Sequence, residues 1–155
     1  MIRTAAAILL GLALAHGQQD HQHIMSQQPD RVMGFSQEKT THHFQLTSEG
    51  GVIEVRANDV KDAESRDRIR GHFKHITQTF GAGDFDDPML VHHQIVPGTT
   101  TMSRLKADIH WEFQEIGRGA RINIVADNKE ALDAVHEFLR FQIADHKTGD
   151  CTAIR

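Results

Sequence analysis

The 155-residue sequence is poor in cysteine and contains no run of basic residues. Because Cys151 has no second cysteine to pair with, an internal disulfide is excluded, which leaves a free thiol or an intermolecular bridge. Lysine and arginine are scattered and the formal net charge is −4, so nothing in the sequence attracts a phosphate backbone. These shortages exclude a disulfide-stapled scaffold and make nucleic acid an unexpected partner.

Long apolar runs are also scarce, and the one that occurs lies near the N-terminus. A short basic start at residues 1–3 precedes an apolar run over residues 5–14, and residues 13–15 form a small-x-small cleavage site. This pattern predicts a signal peptide over residues 1–15. The run is too short to span a bilayer as a mature helix and no second candidate exists, so no membrane span is expected after cleavage. The sequence therefore predicts a periplasmic or secreted protein.

The segment that follows the predicted signal peptide has few large apolar residues. Residues 16–31 read HGQQDHQHIMSQQPDR and are rich in glutamine, histidine and aspartate. Such a composition cannot bury a core, so it predicts a disordered leader. We expect a single domain over residues 32–150 and a short tail over residues 151–155.

The second half of the chain predicts strand, turn, strand and helix in that order. Apolar and polar residues alternate over residues 109–114 and 121–124, on either side of a turn at residues 117–119, as in a half-buried hairpin. Asp127 and Glu130 match a helix capping box. Apolar residues then recur at helical spacing; they are Leu132, Val135, Leu139 and Ile143.

The first half repeats this order. Strand alternation over residues 43–46 and 53–57 surrounds a turn at residues 48–51. A helix then follows, for which either Asp62 or Ser65 can be the cap. Its apolar stripe comprises Ile69, Phe73, Ile76 and Phe80.

The two halves together indicate a β-β-α pseudo-repeat. His43–Phe44 and His110–Trp111 serve as the matching positions. Neither copy could bury its apolar face alone, so we predict an α+β, two-layer sandwich in which one four-stranded antiparallel sheet carries both helices on one face. The alternative is coincidence, because a hairpin followed by a helix is common. The connecting segment, residues 84–104, is long and partly apolar, which favours a packed, functional loop.

Several short motifs carry a resemblance to a known family. They read MGF at 33–35, KTTHHF at 39–44, GAGDF at 81–85, PM at 88–89, VHEFLR at 135–140, and TGD at 148–150 after His146. Together they resemble a family of small exported bacterial proteins of uncharacterised function, some of which carry the label aspartate carbamoyltransferase. The sequence lacks the Ser-Thr-Arg-Thr phosphate-binding turn of that enzyme, and the resemblance implies no activity, cofactor or catalytic residue.

Twelve histidines make this composition unusual, and they support a metal-binding hypothesis. Neutral imidazole is the commonest transition-metal ligand in proteins. His42, His72 and His136 fall on faces that should point inward, so we predict that they converge beneath the sheet as a three-imidazole metal site with an open position. The alternative for each of them is a core histidine that is hydrogen-bonded within the fold.

Two further residues extend the metal hypothesis. Met89 and His92 lie in the connecting segment, and a thioether with an imidazole is a soft set, which favours copper, as Cu(I), over zinc. A methionine that only fills a gap in the core is the alternative. The sequence thus predicts an exported protein that binds or handles copper, and zinc is the second choice.

Two other functions remain open. A small exported enzyme could use His42 or His72 as a general base oriented by Asp84 or Asp86, although the sequence holds no nucleophile elbow, P-loop or dinucleotide fingerprint. A metal-free interaction module could form a homodimer through Phe138 and Phe141, because both lie away from the leucine stripe of the last helix and need cover. The packed connecting segment could supply this cover instead of a second subunit.

Overall fold

Two β-hairpins, each followed by a long helix, form the framework of residues 30–155, which are the part of the chain that this computed structural model describes. The predicted signal peptide and residues 16–29 of the predicted leader lie outside the described residues. In chain order the elements are a 3-10 turn at Gln37–Lys39, β1 (Thr40–Thr47), β2 (Gly50–Ala57), α1 (Ala63–Gly81), α2 (Asp86–His92), α3 (Thr99–Arg104), a 3-10 turn at Lys106–Asp108, β3 (Ile109–Ile116), β4 (Gly119–Ala126) and α4 (Lys129–Asp145).

All neighbouring strands of the sheet are antiparallel, in the order β1-β2-β4-β3, and Ile53 of β2 lies opposite Ile122 of β4. The two hairpins therefore meet through their second strands. One face of the sheet is apolar and packs against α1 and α4, which confirms the predicted α+β fold with both long helices on one face. Buried residues on this face include Phe44, Leu46, Val55, Ile109, Ala120 and Ile124.

Side-chain caps fix where the two long helices begin. The Asp62 side chain accepts a hydrogen bond from the Ser65 N–H at 2.9 Å, so Asp62 is the cap of α1. Asn128 caps α4 in the same way, through Ala131. The prediction that Asp127 caps this helix is wrong, because the Asp127 carboxylate pairs instead with the His110 ring at 2.8 Å.

The structure supports the pseudo-repeat and corrects its register. When the first residues of the equivalent strands are matched, β1 aligns with β3 and β2 with β4 at one common offset over their whole lengths. Under this match His43 corresponds to Glu112, so His43 and His110 are not equivalent positions. They lie on the two outer strands of the sheet, and therefore they do not meet across neighbouring strands. The helices match at a slightly shorter offset, which pairs the cap Asp62 with the cap Asn128.

Each long helix is tied to the hairpin of the other repeat by one side chain. Arg70 of α1 donates hydrogen bonds to the carbonyl groups of Ile116 and Gly119, at 2.8 and 3.2 Å. These two carbonyls lie at the two ends of the β3–β4 turn. Partly buried carbonyls need hydrogen-bond donors, and Arg70 can supply them only if α1 lies at this position along the sheet. The contact therefore fixes the position of the helix.

His136 of α4 occupies the position that corresponds to Arg70 when the two helix caps are matched. Its Nε2–H donates to the carbonyl groups of Thr47 and Gly50, at 2.9 and 3.0 Å. Thr47 and Gly50 flank the β1–β2 turn. In the strand match Thr47 corresponds to Ile116 and Gly50 to Gly119, the two residues whose carbonyls Arg70 binds. The same helix-to-turn contact thus occurs in both halves, as a duplication would leave it.

The segment that joins the halves packs against the last helix. It contains the short helices α2 and α3, and Gly98 between them approaches α4 so closely that an added Cβ would lie 2.2 Å from the Ala134 carbonyl oxygen. This segment and its surroundings bury Phe138, which is 2 % exposed, and Phe141 is partly buried against His92. Of the two kinds of cover expected for these phenylalanines, the connecting segment supplies it, and the homodimer stays a prediction without that surface.

The C-terminal tail runs along the outer edge of β1. The Asp150 carboxylate accepts a hydrogen bond from the Phe44 N–H at 2.9 Å, and the Arg155 N–H donates to the Leu46 carbonyl at 3.0 Å. The tail thereby pairs backbone groups that an edge strand would otherwise expose. Cys151, in this tail, is exposed and free. Among residues 30–155, no helix combines the length and the apolarity needed to cross a bilayer.

Candidate metal centre

A pocket between the helices and the β1–β2 half of the sheet brings four histidines together. His42 comes from β1, His72 from α1 and His92 from the end of α2, and His146 directly follows α4. The pocket has a volume of about 80 Å³. Most of its remaining wall is apolar, and it includes Phe35, Phe44, Ile53, Val55, Phe73 and Phe80.

Local structure explains why each histidine faces the pocket. His42 precedes Phe44 by two residues, so both lie on the helix-facing side of β1. His72 lies beside the buried Phe73 on α1. His92 is the last residue of α2, which ends because the next residue adopts a left-handed conformation with φ of 53°. His146 follows the last turn of α4, four residues after the buried Gln142.

His146 is the centre of the ring contacts. Its imidazole stacks on that of His42 with a centroid distance of 5.0 Å and an interplanar angle of 22°. The His92 ring meets it edge-on, at 5.4 Å and 85°. Phe35 lies 6.0 Å from the His42 ring and 5.7 Å from the His72 ring, so it bridges these two histidines.

The ring nitrogens of three pocket histidines lack hydrogen-bond partners within residues 30–155. They are those of His42, His72 and His146, whereas the rings of His92 and His136 each have a partner. A neutral imidazole carries one donor and one acceptor nitrogen. The pocket therefore presents several hydrogen-bonding groups that the described part of the fold does not use.

Burial keeps these three imidazoles neutral at physiological pH. Desolvation, reinforced by the neighbouring His146, His72 and His43, lowers the pKa of His42 to about 3. Desolvation likewise lowers the pKa of His72 to about 4, although the Asp87 carboxylate partly opposes the shift. The pKa of His146 falls to about 4 for the same main reason, with His92 adding to the shift and Asp145 opposing it. Neutral rings have a lone pair available for a metal, since no proton must leave first.

One group in the described residues has the spacing of a metal site. His92, Asp145 and His146 each offer a ligand atom, and these atoms all lie within 4.8 Å of one another. His92 Nδ1–H donates to the Asp145 carboxylate at 2.8 Å. The His92 side chain is only 4 % exposed while that of Asp145 is 45 % exposed, so the group reaches from the pocket to the surface.

The residues predicted from sequence fall into two sets. His42, His72 and His92 line the pocket. His136 does not, because its Nε2 binds the Thr47 carbonyl at the far end of β1, about 16 Å along the strand from His42. Met89 does not line the pocket either and is 38 % exposed on α2, so no thioether joins the imidazoles there.

Sequence reasoning missed Asp145 and His146 as site residues. A signal for His146 existed, since it lies three residues after Ile143 and continues the apolar stripe of the last helix. Asp145 gives no such signal, because an exposed carboxylate near a helix end is common. Its contact with His92 depends on how the connecting segment packs.

The pseudo-repeat shows what the same corner of the fold contains in the other half. Phe80 and Trp111 meet there with a centroid distance of 5.2 Å, much as His146 and His42 meet at 5.0 Å. When the equivalent strands and the two helix caps are matched, each of the three unpartnered histidines corresponds to an aromatic residue. The corresponding pairs are His42 with Trp111, His72 with Phe138, and His146 with Phe80.

Comparisons of the chain with protein-family models, with curated proteins and with solved structures find no match. The resemblance to small exported bacterial proteins thus stays a prediction.

Proposed function

We propose that this protein binds a divalent transition-metal ion through His92, Asp145 and His146. The observation that carries the proposal is the placement of three ligand atoms within 4.8 Å of one another. Two ligand atoms that share an ion, each about 2 Å from it, lie about 3 to 4 Å apart. Small rotations of the three side chains would therefore bring the group to coordination distance.

The donor set favours a borderline ion. Two imidazole nitrogens with one carboxylate oxygen suit Zn(II), and they also bind Cu(II), which generally forms the strongest complexes of the divalent first-row ions. A site for Cu(I) would call for thiolate or thioether ligands, and Met89 does not line the pocket. We therefore propose Zn(II) or Cu(II) for this group, in place of the Cu(I) that the sequence favoured.

The neighbouring His42 extends the proposal. Its ring stacks on His146, so it lies beside the proposed metal ligands and helps to keep them out of water. The Asp145 carboxylate lies at the solvent-exposed end of the group, where its charge attracts a cation that approaches from the surface. Three protein ligands leave further coordination positions open to water or to another molecule.

The test is metal titration of the untagged chain without residues 1–15, with affinity read from competition against a chromophoric chelator. Substitution of His146 or Asp145 by alanine should weaken Zn(II) binding by about tenfold or more, since each removes one of three ligands. His110→Ala is the matched control, because His110 also pairs with an aspartate at 2.8 Å but belongs to no three-ligand group within residues 30–155. Equal affinities for His146→Ala and His110→Ala would contradict the proposal.

An enzyme with a histidine general base is the second candidate, because the pocket contains both His72 and Asp87. A general base works best with a pKa near the working pH. Burial lowers the pKa of His72 to about 4 and that of His42 to about 3, so both are weak bases at neutral pH. Metal binding at His92, Asp145 and His146 is therefore the better supported function.

We also propose that the protein acts outside the cytoplasm. The support is the apolar run at residues 5–14 with a small-x-small sequence at its end, which is typical of a signal peptide. A reporter fused after the tail should be exported with the intact N-terminus and retained when residues 1–15 are deleted.

A further inference from the structure

A second part of the pocket lies between His42 and His72, beyond the three proposed metal ligands. Phe35 touches both rings and closes this part from one side, and the inward residues of β1 and β2 form its floor. No ring nitrogen of His42 or His72 has a hydrogen-bond partner within the described chain, although the ring of the buried His136 does. These ring nitrogens, set in a largely apolar wall, are free to bond to a molecule that enters the pocket.

The charges around the pocket restrict what that partner can be. No lysine or arginine lines it, so an anion would find no counter-ion there. Asp87 is the one carboxylate in the lining, and its Oδ2 already lies 3.2 Å from His75 Nε2. An anion would lose its hydration without being neutralised, and a cation would find only Asp87, whose Oδ2 faces His75, so an uncharged molecule fits the wall best.

The aromatic corner in the other half explains why space exists here. At the strand position of His42 the other half has Trp111, whose indole is larger than an imidazole. The whole pocket, including its part beside His92 and His146, has a volume of about 80 Å³. That is roughly half of the 150 Å³ that holds a benzene ring in an engineered apolar cavity, so about three or four non-hydrogen atoms are enclosed. The rest of a slightly larger molecule would lie at the pocket mouth.

We propose that this part of the pocket binds a small uncharged organic molecule with a short branched aliphatic body and one group that both donates and accepts hydrogen bonds, such as a primary amide or an alcohol. The aliphatic part contacts Phe35 and Ile53, and the polar group bonds to the imidazoles of His42 and His72. This site does not depend on the proposed metal, because neither histidine belongs to the three-ligand group.

The test uses three probes of nearly the same shape and different charge on the metal-free protein at pH 7.5 with a chelator present. They are isobutyramide, which is neutral, isobutyrate, which is an anion, and isobutyramidine, which is a cation at this pH. Nitrogen-15 NMR of the histidine rings reports binding at His42 and His72 directly. Isobutyramide should bind with a dissociation constant on the order of millimolar and at least about tenfold more tightly than either ion.

Two variants check the hydrogen bonds. His42→Leu and His72→Leu keep the wall apolar but remove the ring nitrogens, so each should weaken isobutyramide binding by about five- to tenfold. His110→Leu, on the opposite sheet face, should leave it unchanged. Unchanged affinity in both pocket variants would overturn the proposal, as would equal binding of the three probes or no ring shift with isobutyramide at about 100 mM. The comparison of probes on the unsubstituted protein decides the matter even if a variant fails to fold.

Discussion

Mild acid should destabilise this protein more than the ordinary titration of exposed groups would. The buried rings of His42 and His72 are neutral in the folded chain and become free to bind a proton once the chain unfolds. Their folded pKa values, about 3 and about 4, lie below the unfolded value of about 6.5. Because the unfolded state binds more protons between these values, the stability is complete above pH 6.5 and falls as the pH decreases toward 4.

The size of the effect follows from the shifts. At pH 5 an unfolded histidine with a pKa of about 6.5 is mostly protonated while the buried ring is not, which lowers the free energy of unfolding by about 2 kcal/mol per histidine. Water that enters the pocket reduces this to about 1 to 2 kcal/mol. The titratable groups that face these rings are His146, His72 and His43 for His42, and Asp87 and His75 for His72. A loss of this size is a large part of the total stability of a typical domain, which is roughly 5–15 kcal/mol.

The assay is urea unfolding of the metal-free protein from pH 7.5 to pH 5. His42→Leu and His72→Leu each remove one group whose proton binding differs between the two states. Over this pH range each variant should therefore lose about 1–2 kcal/mol less stability than the unsubstituted chain. His110→Leu is the control, because this ring is exposed. If the pocket variants and the unsubstituted chain lose stability in parallel, the buried neutral histidines do not exist in solution and the reasoning is refuted.

Two further predictions concern the framework. His136→Leu leaves the carbonyls of Thr47 and Gly50 without their donor. Calorimetry or urea unfolding should show that the free energy of unfolding falls by about 1 to 3 kcal/mol, while zinc affinity is unchanged. A large loss of zinc affinity would instead identify His136 as a metal ligand. Deletion of residues 149–155 removes the Asp150 contact with the Phe44 N–H and bares the β1 edge, so light scattering should detect faster aggregation, and an unchanged aggregation rate would show that the tail does not protect this edge.

Local patterns were sufficient to predict the four strands and the two long helices, but not the short helices α2 and α3 of the connecting segment. Alternation places Phe44 and Ile122 on the same buried face, because this pattern depends only on neighbouring residues. Helical spacing identifies the stripe of α1, but for α4 it includes Leu132, which is only partly buried, and omits the buried Phe138. The strand order could not be predicted in the same way. Both hairpins have apolar faces of similar character, so the pairing of β2 with β4 depends on packing between distant segments. The cap of α4 was misplaced by one residue because Asp127 and Asn128 are both good capping residues.

The site was predictable only in part, and His136 shows why. Its position on the buried face of α4 was inferred correctly, since it is 3 % exposed. A face, however, does not say where along the sheet a side chain ends, and this ring reaches the β1–β2 turn. If the two helices are matched by their caps, His136 corresponds to Arg70, which contacts the equivalent turn, so this match would have predicted where the His136 ring ends. The match needs different sequence offsets for strands and for helices, and the incorrect pairing of His43 with His110 hid that difference.

The difference between the two halves bears on the proposed role of the histidines. The halves share one backbone arrangement, and the corner at Phe80 and Trp111 shows that aromatic rings can fill it. The histidine corner should lose stability in mild acid, which an aromatic corner would not, because phenyl and indole rings do not titrate in this range. Aromatic rings can thus occupy this position in the fold without that loss. The presence of imidazoles here, despite the expected loss, supports the proposal that they bind a ligand.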